Sequence, residues 1–115
     1  MTTIKELVDD LLNGAQMTVA EAMDRYFSLA FRQRTNGNWE SRDEVAVRIT
    51  QLREVFERAT ITVLDELRDG SCYAERHFID LHRREGGHLL LEVYVFAETD
   101  ADGRFTRIEE ANFQP

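Results

Sequence analysis

Apolar positions follow two different periods along this chain. Up to about residue 58 they recur every three to four positions, and beyond that they alternate. The first regime predicts three amphipathic helices, each announced by a Ser or Thr three residues ahead of a Glu: Thr3 and Glu6, Thr18 and Glu21, Ser41 and Glu44. That spacing lets the hydroxyl and the carboxylate satisfy the free N–H groups of a first helical turn. The stripes that follow are Ile4, Leu7, Val8, Leu11 and Leu12; then Val19, Ala22, Met23, Tyr26, Phe27 and Ala30; then Val45, Ile49, Leu52, Val55 and Phe56. Asn13-Gly14 closes the first helix, since Gly accepts the left-handed conformation beyond a C-terminus. Asn36-Gly37 predicts a tight turn between short segments at 31–34 and 39–40.

The alternating regime predicts four strands, at about 59–68, 71–84, 88–98 and 104–113, with hairpin breakers at Asp69-Gly70, Glu85-Gly86-Gly87 and Asp100-Ala101-Asp102-Gly103. The only proline is Pro115, so no strand is interrupted. Helices first and a meander second make an α+β plan, a single domain over 1–115 in which three N-terminal helices cover one face of a curved antiparallel sheet.

Two-residue turns at Asp69-Gly70 and Glu85-Gly86, with a four-residue loop at 100–103, predict a register. Val63 then lies opposite Arg76, Phe78 opposite Val93, and Val95 opposite both Arg76 and Ile108. The inner face would carry Ile61, Val63, Arg76, Phe78, Asp80, Leu91, Val93, Val95, Ile108, Glu110 and Asn112. The outer face would carry Tyr73, Glu75, His77, Ile79, Leu81, Leu90, Tyr94 and Phe96. Charge on an apolar interior face must be paired, solvated in a cavity or functional, which singles out Arg76 and Glu110. The mixed aromatic and charged outer face suits a second copy of the chain, so a homodimer is expected through it.

Composition narrows the function. At 115 residues, with 43% hydrophobic and 31% charged positions, the chain can bury a core without disulfides or metal. One cysteine, Cys72, excludes an intrachain disulfide and a multi-cysteine metal site. A net charge of −8 argues against nucleic-acid partners. No apolar run approaches a membrane span and no leader pattern opens the chain, so neither membrane nor export is expected and the location read from sequence is cytoplasmic. No phosphate loop, nucleophile elbow or zinc signature occurs, and neither a metal nor a cofactor is expected.

The order of elements, Asp69-Gly70-Ser71 leading into Tyr73-Ala74-Glu75-Arg76, and the closing strand after Asp102-Gly103-Arg104-Phe105 resemble the nuclear-transport-factor-two-like superfamily, in particular its SnoaL-like branch. The resemblance covers nearly the whole chain. It implies a cystatin-like cone, the sheet curled around the helices over a deep apolar pocket. Similar proteins include polyketide cyclases, ketosteroid isomerase, scytalone dehydratase and limonene epoxide hydrolase, and others that only bind. Against the epoxide hydrolase pattern Arg76 matches the strand Arg, but the acid expected two residues on is Phe78, and the closing-strand acid is Glu110. Against the cyclase pattern Glu110 is present while Glu109 replaces a Trp.

The chemistry these readings imply is cofactor-independent isomerisation, cyclisation or dehydration of a hydrophobic or carbonyl-bearing small molecule. Glu110 would remove a proton beside a carbonyl and Arg76 would stabilise the oxyanion. The alternative is a structural Arg76–Glu110 ion pair in a non-catalytic binding or dimeric interaction module. Tyr26 and Trp39 are candidate pocket residues with Val63, Phe78, Asp80, Leu91, Val93, Ile108 and Asn112; for Tyr26 core is the stronger reading, since an aromatic at helical spacing is more often core, and Trp39 reads equally as a lid or a helix contact. His77 is expected outside, and Asp80 and His82 on a solvated rim.

Overall fold

The structure, a computed structural model, describes residues 2–14 and 16–115. Helix α1 (Ile4–Val8) runs into a π-helical turn (Asp9–Asn13), followed by α2 (Val19–Tyr26), β1 (Phe27–Thr35), β2 (Asn38–Ser41), α3 (Arg42–Val55), β3 (Phe56–Asp69), β4 (Cys72–Arg83), β5 (His88–Thr99) and β6 (Phe105–Phe113). The six strands form one curved sheet in the order β2-β1-β6-β5-β4-β3. None of the described helices is long and apolar enough to cross a membrane.

All three predicted caps form. Thr3 Oγ1 accepts from the Glu6 N–H, and the Thr18–Glu21 and Ser41–Glu44 pairs are full reciprocal boxes. The second helix ends earlier than its stripe suggested. Phe27 is already extended (φ −120°, ψ 136°), and 27–35 continue as a strand. Phe27 and Phe31 suit either state, and pairing with β6 and β2 makes 27–35 a strand. That β1–β6 pairing is parallel, so the sheet is mixed rather than wholly antiparallel. Asn36 (φ 49°) and Gly37 (φ 88°) make the predicted tight turn, with Thr35 opposite Asn38.

The helices are held against the sheet by polar clamps at their ends. The Asn13 side chain donates to the Ala59 carbonyl and accepts from the Ala59 N–H, both at 2.7 Å, so its amide extends the pairing of β3. Arg53 donates to the Leu11 and Asp10 carbonyls at 2.6 and 3.0 Å, satisfying acceptors that the end of the π turn leaves open.

The register of the central strands differs from the expectation, and the difference decides what the interior contains. The first hairpin turns at Gly70-Ser71, with Asp69 opposite Cys72, because Gly70 (φ 60°) occupies the first central position of the turn rather than the second. Further along, β3 bulges between Val63 and Asp65, and the pairing changes from Asp65–Arg76 to Val63–His77. In the β4–β5 hairpin the Arg83 N–H donates to the Gly87 carbonyl, so three residues, 84–86, make the turn rather than two, pairing His77 with Val93 and Phe78 with Glu92. This is a slip of one residue, and a slip of one turns every side chain to the other face. The β5–β6 pairing differs by two, with Val95 opposite Glu110, which leaves faces unchanged. Strand β4 is therefore inverted: Tyr73, Glu75, His77, Ile79 and Leu81 are buried, and Arg76 is exposed.

Candidate functional site

A cavity of about 280 Å³ lies between the sheet and helices α1 and α3. Leu7, Leu11, Ile49 and Leu52 close it from the helix side, and Ile79, Leu91, Val93, Val95 and Ile108 form its floor. Its polar lining is short: Gln33, Thr35, Arg48, His77, Glu110 and Asn112. Of the sequence-predicted residues, Glu110, Leu91, Val93, Ile108 and Asn112 line it.

The other predicted residues do not. Arg76 lies on the outer face, where its guanidinium pairs with Asp65 at 2.5 Å, so it cannot serve as an interior oxyanion partner of Glu110. That carboxylate keeps the guanidinium charged, holding its pKa above even the usual arginine value. Phe78 and Asp80 go outward with Arg76 because they share its phase on β4. Asp80 accepts from His88 Nδ1 at 2.6 Å, beside His82. Val63 is half-buried beside the bulge, away from the cavity lining. Trp39 sits 46% exposed on β2, under the Arg32 guanidinium at 4.4 Å, rather than over the pocket mouth. Tyr26 is core: its hydroxyl donates to Asp10, and burial together with that carboxylate pushes the phenol up to about 12.

Two polar groups flank the aliphatic floor. On β4, Glu75 and His77 are both inside, with side chains 0% and 4% exposed, and Glu75 Oε1 lies 2.6 Å from His77 Nδ1. Residues two apart on a strand share a face, so this contact is set by sequence spacing once the face is set. A carboxylate only accepts, so Nδ1 carries the hydrogen, and Nε2 is the ring edge left for a molecule in the cavity. Glu75 Oε2 is buried without a partner among the described residues.

On the far side, Glu110 Oε1 accepts from Gln33 Nε2 at 3.1 Å and Oε2 from Asn112 Nδ2 at 3.0 Å. Asn36 fixes Asn112 in turn, donating to its Oδ1 at 3.2 Å and accepting its backbone N–H at 2.9 Å. The Asn36-Gly37 turn thus positions the pocket carboxylate as well as joining β1 to β2. Val93 lies between His77 and Asn112, and Val95 between Glu75 and Glu110. The polar groups are two strands apart, about 10 Å at the usual strand spacing. Arg48, the cation of the lining, is held by Glu40, with Nε 3.0 Å from both carboxylate oxygens. Sequence reasoning found Glu110 but missed Glu75 and His77. Their signal was a titratable pair at i and i+2 in an alternating strand, masked because Arg76 offered an equally plausible charge in the opposite phase.

Neither a protein-family model nor a curated protein matches the sequence. Solved structures do match in shape. A protein assigned as a SnoaL-like polyketide cyclase, from Shewanella denitrificans OS-217, superposes with a TM-score of 0.78 at 6% identity over 96% of this chain and 87% of its own. An NTF2-like protein of unknown function from Exiguobacterium sp. 255-15 gives 0.76 at 14% identity, covering 99% and 100%. A protein with a ketosteroid isomerase-like fold from Catenulispora acidiphila DSM 44928, in complex with trimethylamine, gives 0.71 at 9% identity, covering 93% and 82%. Identities this low speak to architecture alone. The chain has the nuclear-transport-factor-two-like fold, the α+β cone shared by SnoaL-like and ketosteroid isomerase-like proteins.

Proposed function

We propose that this protein binds one small, largely apolar molecule in the cone and moves a proton on it without a cofactor, as an isomerase, cyclase or dehydratase would. The observation that carries the reading is the buried Glu75–His77 pair beside an aliphatic cavity. Glu75 orients the imidazole and His77 Nε2 is the base. Glu110 is the second proton-accepting group, two strands away. A volume of about 280 Å³ lies just below the roughly 300 Å³ at which drug-sized ligands begin to fit, and suits one or two rings. The trimethylamine complex supports the idea that a protein of this fold can bind a small organic molecule. With Arg76 outside, an oxyanion held by arginine is no part of the scheme.

The test is the base-promoted ring opening of nitrobenzisoxazole, a small bicyclic molecule whose elimination requires only a positioned base in an apolar site. The wild type is expected to accelerate it, and His77→Asn, which keeps an N–H for Glu75 but no base, to lower the rate about 100-fold. Equal accelerated rates in the two proteins would remove His77 as the base, and no acceleration by either would leave a binding module.

The outer face supports self-association through the sheet. Leu90, Tyr94, Phe96 and Phe113 are 40–48% exposed there, with Tyr94 and Phe113 stacked at 6.2 Å and Arg107 over Phe96 at 5.7 Å. Apolar rings interleaved with Arg76, Arg107, Glu92 and Glu109 give a surface that can pair charges with a second copy of itself. Light scattering at micromolar concentration is expected to return twice the chain mass, and Tyr94→Glu to return the monomer. A wild-type monomer would remove the dimer.

A further inference from the structure

We infer that the cavity selects a small apolar amine in its protonated form, with the ammonium group at Glu110. This rests on the reading of the cavity as a ligand site and adds the charge of what enters it.

Glu110 is a carboxylate on an apolar wall, yet both of its partners, Gln33 and Asn112, are neutral amides. Among the described residues no cation pairs with it. Each nearby guanidinium is committed elsewhere: Arg48 to Glu40, Arg34 to Glu109, Arg107 to Glu98 and Glu109, and Arg76 to Asp65. A carboxylate offers about four acceptor directions, and the two amides take two of them. Glu110 is half-buried, so its remaining lone pairs are open to a donor entering the cavity, and a cationic donor would also meet its unpaired charge.

The far wall reinforces the preference. Glu75 is a second carboxylate, fully buried behind His77, with one oxygen unpartnered among the described residues. With the Arg48 charge held by Glu40, the interior offers two carboxylates and no free cation among the described residues. An anionic ligand would meet repulsion from both walls in a medium that screens charge poorly. The net charge of −8 adds an attractive field for cations on approach. A hydrocarbon body against Leu91 and Val93 supplies the apolar contact, and an ammonium at one end supplies both donor and charge.

Three probes of matched shape separate charge from shape: cyclohexylamine, cyclohexanol and cyclohexanecarboxylate, measured by titration calorimetry at neutral pH. Cyclohexylamine is expected to bind about tenfold tighter than cyclohexanol, because its ammonium adds an opposite charge to the hydrogen bond that both can donate to the carboxylate. The carboxylate is expected not to bind. In Glu110→Gln, which keeps the side-chain shape, the amine should lose its advantage over cyclohexanol. Equal binding of amine and alcohol, or an amine affinity unchanged in Glu110→Gln, overturns the inference while the cavity remains a ligand site. If none of the three binds, the inference and the ligand-site reading fail together.

Discussion

His77→Leu is expected to lower the unfolding free energy by about 3–5 kcal/mol, the usual cost of removing one member of a buried pair. Glu75 has no exposed side-chain surface, and His77 is its one side-chain partner among the described residues. Leucine at 77 would leave both carboxylate oxygens buried and unpaired. Natural domains of this size hold only about 5–15 kcal/mol in all, so the variant stands close to the limit of folding. The double variant Glu75→Leu/His77→Leu removes both polar groups and is expected to recover most of the loss. Urea unfolding of the three proteins measures this. A double variant as unstable as the single one would show that the pair is not the source of the loss. If the pair can be replaced by apolar residues at little cost, stability does not account for its presence beside the cavity.

Phe105→Ala is the second large effect, also about 3–5 kcal/mol. Phe105 is 0% exposed where β6 begins, opposite Phe27 in the parallel pairing and edge-on to Tyr73 at 6.3 Å. Tyr73 cannot move to fill the space, because its hydroxyl donates to Glu66 at 2.7 Å and accepts from the Ile4 N–H at 3.4 Å. The cavity would stay open, and its cost scales with the volume left behind. Phe113, at the other end of the same strand and 48% exposed, is the control. Phe113→Ala should cost under about 1 kcal/mol in the dilute monomer, as exposed substitutions do. Similar losses at both positions, read from the urea midpoint, would mean that the core is not where Phe105 sits.

The candidate site was half legible. On β5 and β6 one phase is aliphatic, Leu89, Leu91, Val93 and Val95, then Ile108, so the face holding Glu110 and Asn112 followed from alternation alone. Strand β4 has no such bias. Tyr73, Glu75, His77, Ile79 and Leu81 alternate with Cys72, Ala74, Arg76, Phe78 and Asp80, and each phase mixes apolar with charged residues. Its orientation therefore depended on turn geometry. The bulge at 63–65 and one extra residue in the β4–β5 turn, each an odd shift, reversed the reading.

Caps, stripes and alternation are local, and they carried the α+β plan: three helices beginning at Thr3, Thr18 and Ser41, then a meander with turns near 70, 86 and 102. They also carried Glu110 as an interior acid. Which side of β4 meets the helices is not a local property. It follows from the Gly70-Ser71 turn, the bulge at 63–65 and the 84–86 turn acting together, and each alters register by one or two residues. Burial of Tyr73, Ile79 and Leu81 against the helices outweighs burial of Ala74 and Phe78, and it takes Glu75 and His77 inside. The charge that looked interior, Arg76, was thereby turned to solvent, and His77, backed by Glu75, took its place in the cavity wall.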